Sequence, residues 1–455
     1  MTRRRGTAII ETSKGILVVA GRHGSFLLPG GGSDEGESRH NSAIRELKEE
    51  TGLDAYYIKY LFTHHAPHIG LSGRRIKHRD LHKVYLIKAK GDTKPNFHDV
   101  HRIEFWKPGS DILLSGTTKL IINRYLTQYK QIADEEDMDL ALFKKYKFNK
   151  CQNLLLGIAV GDAFGAAFEG KYRKKVAKKF QLEYYRPGGR GWKKGKYTDD
   201  TQMSIAVSEL ILSQKEFSKY NLAEQFLYVY RRNPHNGYGS SVKEGLRKSK
   251  DTNDFLKIIP GNSSGNGACM RSSIIGILPK IKDVIYNAKI NAEVTHNTPS
   301  AIASSVCVAA ASHYFYYELG EPKKVFDYCI NACKGLDEKS VDYFKKVKEM
   351  KELDPILLFG EDKKDFGVPV NGMRTAGAVL YLISLYYDNP VETLKQSILL
   401  GGDTDSTASI ALGIVSIRTG IGTLPFFLFR DLENSGYGRD YLIDLGTKLF
   451  TLYPN

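Results

Sequence analysis

The feature that most narrows the fold is a change of pattern about a third of the way along the chain. Up to about residue 130, short β-rich runs alternate with polar turns. Residues 6–12 and 16–20 predict strands joined by the turn Ser13-Lys14-Gly15, and further strands are predicted near 56–63, 82–89 and 102–106. Helices are predicted over 39–51 and 118–129. From residue 151 onward strand patterns almost vanish. Residues 153–168, 201–212, 268–281, 300–318, 373–387 and 406–419 carry apolar residues at helical spacing, many of them rich in the Ala and Gly that let helices pack closely. No single layer architecture accommodates both patterns, and 455 residues exceed one ordinary core. The expectation is a multidomain chain. It has an α/β unit with a mixed sheet and helices over 1–132 and an all-α unit over 151–455. Between them, a linker over 133–150 runs from an acidic stretch (134–139) to a basic one (144–150).

Composition excludes several classes. A hydrophobic content of 42% with 26% charged residues is that of a soluble globular protein. No apolar run is long enough to cross a bilayer, and the basic Met1 to Arg5 is not followed by a signal-peptide apolar region, so the expected location is cytoplasmic, with no membrane partner. Cys151, Cys269, Cys307, Cys329 and Cys333 are odd in number and lack framework spacing, which predicts free thiols in a reducing compartment. Cys329 and Cys333 lie one helical turn apart, but no further Cys or His stands at zinc-ligand spacing. The net charge of +15 draws polyanions. The lysines read as spread along the chain, so a solvated basic surface is favoured over a nucleic-acid groove.

The first candidate site follows a glycine turn. After Pro29-Gly30-Gly31-Gly32 comes Glu37, and then Arg45-Glu46-Leu47-Lys48-Glu49-Glu50-Thr51-Gly52-Leu53. On a helix, Glu46, Glu49 and Glu50 share one face while Ala43, Ile44 and Leu47 supply the buried one. Three like charges on adjacent turns repel one another, a cost that a divalent cation removes, and oxygen-only ligands favour Mg²⁺ or Mn²⁺. A solvated acidic helix face accounts for one such pair, but not for nine specified positions at fixed offsets. Residues 31–53 resemble the complete Nudix box. The resemblance implies cleavage of a nucleoside diphosphate linked to another group, with one or more Mg²⁺ or Mn²⁺ ions. Glu49 and Glu50 would be metal ligands, and Glu46 a further ligand or the base that activates water. Arg45 would orient the glutamates, and Glu37 would support the metal shell. A further acid from a later loop would be Asp99 or Glu104. Pro67 falls near the place where ADP-ribose-cleaving members often carry a proline.

The second candidate site repeats one device at two helix starts. Thr198-Asp199-Asp200-Thr201 precedes one helical run, and Gly401-Gly402-Asp403-Thr404-Asp405-Ser406 precedes another about 200 residues later. Capping and the helix dipole explain one aspartate at each start. The second, repeated, asks for a cation. If the starts converge, four carboxylates and two hydroxyls suit two divalent ions about 4 Å apart. Gly161-Asp162-Ala163-Phe164-Gly165 with Glu169, the turn Gly265-Asn266-Gly267, and Thr295-His296-Asn297 complete the pattern. Alone, that turn is only a turn and His296 only a cap or a satisfied core histidine. In this order, the five segments resemble the ADP-ribosylglycohydrolase family over about residues 153–449. The resemblance implies a binuclear Mg²⁺ or Mn²⁺ site held by Thr198, Asp199 and Asp200 on one side and by Asp403, Asp405 and Ser406 on the other. Ser406 stands where members often have threonine. Glu169 would lie at the scissile bond, with Asp405 among the catalytic groups. Asp162, Gly265, Asn266, Gly267 and His296 would line an ADP-ribose pocket, and the residue that moves the proton stays open.

Together the two resemblances imply a bifunctional hydrolase. One half would release ADP-ribose from a modified protein or small molecule, a protein arginine being favoured, and the other would split ADP-ribose to AMP and ribose 5-phosphate. The alternative is an ADP-ribosyl hydrolase whose Nudix part regulates it by binding a nucleotide, or cleaves another nucleotide such as NADH or a modified dNTP. A nucleic-acid acceptor is allowed by the charge but not favoured.

Overall fold

The computed structural model describes residues 2–22, 24–34, 37–66, 79–130, 143, 145–189, 192–234, 237–259 and 261–455. Pro67 and most of the expected linker, residues 133–142 and 144, lie outside the described residues. The chain divides into two compact units, Met1–Leu142 and Phe143–Asn455.

The first unit contains β1 (Thr2–Ile9), β2 (Glu11–Thr12), β3 (Gly15–Ala20), β4 (Gly30–Gly32), α1 (Arg39–Thr51), β5 (Asp54–His65), β6 (Arg79–Lys90), β7 (Arg102–Trp106) and α2 (Gly116–Gln128). One sheet runs β4-β1-β6-β5 and is mixed: β1 lies parallel to β6 and antiparallel to β4. A three-stranded antiparallel sheet runs β2-β3-β7. Successive strand residues face opposite sides, so β1, β3, β5, β6 and β7 each feed two cores. Ile9, Ile16, Val18, Val84 and Leu86 pack with Ile121, Ile122 and Tyr125 of α2. Ala8, Leu17, Val19, Tyr85 and Ile87 pack with Ala43 and Leu47 of α1. Ser38 caps α1 by accepting from the Asn41 amide, and Gly52 ends it in the left-handed region at φ 75°.

The glycines ahead of α1 are not the turn the sequence suggests. Gly30–Gly32 forms a strand, with Gly31 opposite Gly6 of β1. The need for glycine is one of space, since a Cβ on Gly31 would sit 1.9 Å from Glu46 Oε1. The glutamate side chain occupies the room a side chain would have taken.

The second unit is helical. Central to it are α3 (Lys150–Gly165), α4 (Asp199–Leu212), α5 (Pro299–Tyr316), α6 (Gly372–Tyr386) and α7 (Thr404–Thr419). Where the sequence predicts helices with one apolar face, α3, α5 and α7 are buried on all sides. Helices enclosed this way must be apolar or small all round. On α3, Gly157, Gly161 and Gly165 recur every fourth residue and lie against α7: added Cβ atoms would sit 2.7 Å from Ser416 Oγ, 2.3 Å from Ala408 O and 2.5 Å from Asp405 Cα. The two backbones therefore approach each other closely just where α7 begins.

One predicted helix is absent. Residues 268–281 form two 3₁₀ segments, Cys269–Arg271 and Ser273–Ile277, and α-helix resumes only at Ile281. Side chains take the carbonyls a helix would have used: Asn291 Nδ2 and Ser272 Oγ both donate to Ala268 O, and Arg271 Nη1 donates to Gly267 O at 2.7 Å. All five cysteines are buried free thiols. Among the described residues no helix is long and apolar enough to cross a membrane.

Candidate active sites

In the first unit α1 carries the acidic face and Arg45 organises it. The Arg45 guanidinium donates to Glu37 Oε1 (3.1 Å), Glu46 Oε1 (3.0 Å), Glu49 Oε2 (3.0 Å) and the Gly32 carbonyl (3.1 Å). Charge-assisted bonds of this kind fix both partners. They hold Glu37 below the ordinary carboxylate range, chiefly through the bond from Arg45. Glu50 turns the other way. Its Oε2 accepts from Gly30 N at 3.0 Å, and its carboxyl is pushed up to about 7, first by burial and then by Glu46, against the opposing pull of the Gly30 amide. Asp99 also acts electrostatically on Glu50, whereas Glu104 lies exposed on β7 opposite Val18. Sequence reasoning missed Arg5. It donates to Gly30 O at 2.7 Å, feels the charges of Glu46 and Glu50, and keeps a buried Nε without a hydrogen-bond partner. An arginine on a strand carries no motif, so only the β1–β4 pairing brings it to the glutamates.

In the second unit the two helix starts converge. Thr198 and Asp403 hold the N-cap positions of α4 and α7, yet neither side chain makes a capping bond, so capping does not account for them. Ser406 lies within side-chain hydrogen-bonding reach of Asp200, and Asp200 in turn feels the charges of Asp162, Asp199 and Asp403. Glu169, exposed at the edge, acts on both Asp199 and Asp405. Burial lifts every member, and the neighbouring carboxylates reinforce it in Asp199, Asp200 and Asp405. Asp199 reaches about 7, Asp403 rises, and Asp200 and Asp405 rise well above the usual range.

Asp162 has another position than the pocket lining the resemblance implies. It is fully buried, and its oxygens accept from Thr198 N (2.9 Å), Thr201 N (3.0 Å) and Thr201 Oγ1 (2.6 Å). It braces the start of α4. The Gly265-Asn266-Gly267 turn joins the cluster through Asn266 Nδ2, 2.5 Å from Asp403 Oδ2. His296 Nδ1 lies 2.7 Å from Thr295 Oγ1, and its ring lies so close to Gly267 that a Cβ there would meet Cε1 at 2.5 Å. Two further residues escaped sequence reasoning. Arg271 is buried and ties the segments together, donating to Gly267 O, Asn291 and Thr295 Oγ1. Val368 accepts from Asp403 N at 2.9 Å and pins the α7 start. The only signal was an arginine at the end of a run of small residues, Gly265 to Arg271.

The likenesses agree with this division. A family model for ADP-ribosylglycohydrolase matches residues 144–455, and one for the NUDIX domain matches residues 1–122. Both are hydrolase families. The chain belongs to the ADP-ribosylglycohydrolase family and carries a Nudix domain in its N-terminal part. It is 28% identical to the ADP-ribosylhydrolase ARH3 of Xenopus tropicalis over 338 residues, 66% of this chain and 94% of that protein. It is 24% identical to the ADP-ribosyl-[dinitrogen reductase] glycohydrolase of Rhodospirillum rubrum, over 59% of this chain and 85% of the other. A solved structure described as a nudix hydrolase family member from Chromobacterium violaceum is 36% identical, covering 31% of this chain and 92% of that one, at a TM-score of 0.26.

Both families generally use divalent metals. The second site has donors suited to such an ion: they are all oxygens, and Asp200 Oδ1 is buried without a hydrogen-bond partner, an arrangement costly unless something satisfies it. Among the described residues no three His, Cys, Asp or Glu side chains close on one point as a preformed cage. Asp403 and Asp405 lie within side-chain hydrogen-bonding reach of each other, and Asp199 and Asp200 act on them electrostatically.

Proposed function

We propose that the chain is a bifunctional hydrolase acting on ADP-ribose and its conjugates, its second unit releasing ADP-ribose from a modified acceptor and its first splitting ADP-ribose to AMP and ribose 5-phosphate. The observation that carries this reading is the pair of carboxylate clusters, one in each unit: Glu46, Glu49 and Glu50 around Arg45, and Asp199, Asp200, Asp403 and Asp405 at two converged helix starts. In the second unit Thr198, Asp199 and Asp200 with Asp403, Asp405 and Ser406 would hold Mg²⁺ or Mn²⁺. In the first, Glu46, Glu49 and Glu50 would do so. Bound there, such ions supply Lewis acidity and lower the pKa of water.

The protein's own groups do the rest. Asp162 holds the α4 start, so Thr198 to Asp200 stay aimed into the site. Asn266 fixes Asp403, and the Gly267–His296 contact shapes the wall on which the nucleotide would lie. At the anomeric carbon the bond to the acceptor breaks, water adds its oxygen there, and the acceptor leaves with a proton. The flanking carboxylates, Glu169 at the mouth among them, stabilise the positive charge that develops. In the first unit Arg45 keeps Glu46 and Glu49 in place. Glu50 or Glu46 receives the proton of the water that attacks phosphorus while the P–O–P bridge breaks. Arg5 places a cation beside the developing phosphate charge.

The test adds Mg²⁺ and ADP-ribosylated arginine protein, then free ADP-ribose, and follows ADP-ribose and AMP over time. Glu49→Gln should abolish AMP and spare release, and Asp403→Asn the reverse. No AMP from the wild type refutes the coupled reading. Release from the acceptor surviving Asp403→Asn refutes the assignment of the second unit.

A further inference from the structure

The basic charge is not spread evenly after all. Residues 171–196 hold eleven Lys and Arg against a single acid, Glu183, so this stretch contributes +10 of the chain's formal +15. A stretch placed at random along the chain would carry about one. Its position is as notable as its charge, because it begins two residues after Glu169 and is tied to the aspartate turn by backbone. Lys171 forms a β-bridge with Gly402, Gly170 N donates to Gly402 O at 2.9 Å, and Gly402 N donates to Lys171 O at 3.1 Å. The short helix Arg173–Lys179 follows, with Lys174, Lys175, Lys178 and Lys179 all exposed. None of these four forms an ion pair among the described residues. Lys171, half-buried, feels the charges of Lys179 and Arg186, which places the later part of the stretch beside the earlier one.

Aromatic side chains lie among the cations. Tyr172 is 52% exposed and stands edge-on to Phe366, and Lys175 Nζ is 5.9 Å from the Tyr172 ring centroid. Arg186 stacks on Tyr184 and Lys196 on Trp192. Lysines in a row beside the exposed Tyr172 ring match a phosphodiester strand whose bases are free to stack. A duplex hides its bases, and an acidic peptide has no bases to stack.

We infer that the surface built by residues 171–189 and 192–196 docks single-stranded nucleic acid at the mouth of the aspartate site, so that an acceptor carried on such a strand is delivered to it. The delivery clause rests on the proposed hydrolase function. The docking itself does not.

The experiment measures binding of a fluorescent, unmodified 20-nucleotide strand to the full chain by anisotropy, from 50 to 200 mM salt. The quadruple variant Lys174→Glu, Lys175→Glu, Lys178→Glu, Lys179→Glu is compared with a control of equal charge change, Lys345→Glu, Lys346→Glu, Lys348→Glu, Lys351→Glu. A slope of about 0.7 per phosphate contact predicts that four lost contacts remove roughly 50-fold of the salt-dependent affinity change over this range. The control should bind like the wild type, and Tyr172→Ala should bind severalfold more weakly with an unchanged salt slope. Equal weakening in both quadruple variants, tighter binding of a duplex, or equal binding of polyglutamate overturns the inference. Release of ADP-ribose from a small ADP-ribosylated arginine ester should be unchanged by the quadruple substitution. Its absence in the wild type would count against the hydrolase reading and leave the binding result to stand by itself.

Discussion

Gly161→Ala tests whether the close approach of α3 and α7 holds the second site together. A Cβ at this position falls 2.3 Å from Ala408 O, 2.5 Å from its carbonyl carbon and 2.7 Å from Ser409 N. Ordinary contact needs roughly 3.4 Å, so about 1 Å must be found, and because the obstructing atoms are backbone no rotamer change supplies it. Overpacking of this size costs about 1–3 kcal/mol, against which alanine returns about 1 kcal/mol of helix propensity. The net expectation is a loss of at most about 2 kcal/mol and a fall in Tm of no more than about 3 °C. The larger effect should be on catalysis. Asp162 follows Gly161 on α3, and Asp405 lies three residues before Ala408 on α7, so a 1 Å separation pulls the Asp162 brace away from the Asp403–Asp405 turn. A displacement of that size costs on the order of 10²-fold in rate. The assay is release of ADP-ribose well below Tm, paired with thermal melting. Gly422→Ala, whose Cβ meets nothing within 4 Å, is the control and should change neither. If Gly161→Ala melted like the wild type with kcat within threefold, the helix contact would not be what positions the site.

Three further outcomes are expected. Arg45→Lys keeps the charge but loses the planar fork that reaches Glu37, Glu46 and Glu49 at once, so AMP formation should drop at least tenfold with α1 intact by circular dichroism, and full activity would refute the organising part given to Arg45. Asp200→Asn replaces a buried carboxylate among like charges, so the metal-free variant should melt at or above the wild type, while the Mg²⁺-induced gain, about 2.7 kcal/mol at a hundredfold excess over Kd, disappears; a retained gain would remove Asp200 from the metal-binding set. His82 is buried against Thr7, and burial first, then Arg5, depresses its pKa to about 4 from an unfolded value near 6.5. The folded state therefore binds fewer protons in that window, so stability present above pH 6.5 is lost as pH falls, by about 3 kcal/mol once below pH 4. Denaturant titrations should show that slope shrinking in His82→Asn, and an identical slope would exclude His82 as its source.

What was legible in the sequence is what repeats. The helical period over 39–51 corresponds to Arg39–Thr51, and the alternation at 102–106 to Arg102–Trp106, because packing and local preference agree there. The paired aspartates stood out because one device recurs at two helix starts, although nothing in the spacing says that residues about 200 positions apart meet. Residues 268–281 misled because apolar spacing cannot register that Arg271, Ser272 and Asn291 capture backbone carbonyls. Arg5 and Val368 were invisible for a related reason: their parts are given by strand pairing and a loop contact, not by a motif. The charge of residues 171–196 was legible all along, but it needed counting by segment rather than over the whole chain.

The two sites accommodate like charges by opposite means, and this separates their dependence on cations. In the first unit the cation is built in: Arg45 bonds Glu37, Glu46 and Glu49, and Glu50 accepts from a backbone amide. In the second, among the described residues, no arginine or lysine pairs with Asp199, Asp200, Asp403 or Asp405. Their bonds come from Thr198, Asn266, Ser406, backbone and, between Asp403 and Asp405, each other, and Asp200 Oδ1 has none. An uncompensated buried carboxylate destabilises its own surroundings first. Chelation should therefore loosen the starts of α4 and α7 while leaving α1 protected. Amide hydrogen exchange read by mass spectrometry should show faster exchange in peptides covering 198–206 and 403–411 after EDTA, restored by Mg²⁺ or Mn²⁺, with little change over 39–51. The opposite order, or an equal response in both units, would mean that the α1 glutamates and not the paired aspartates depend on the ion for their fold.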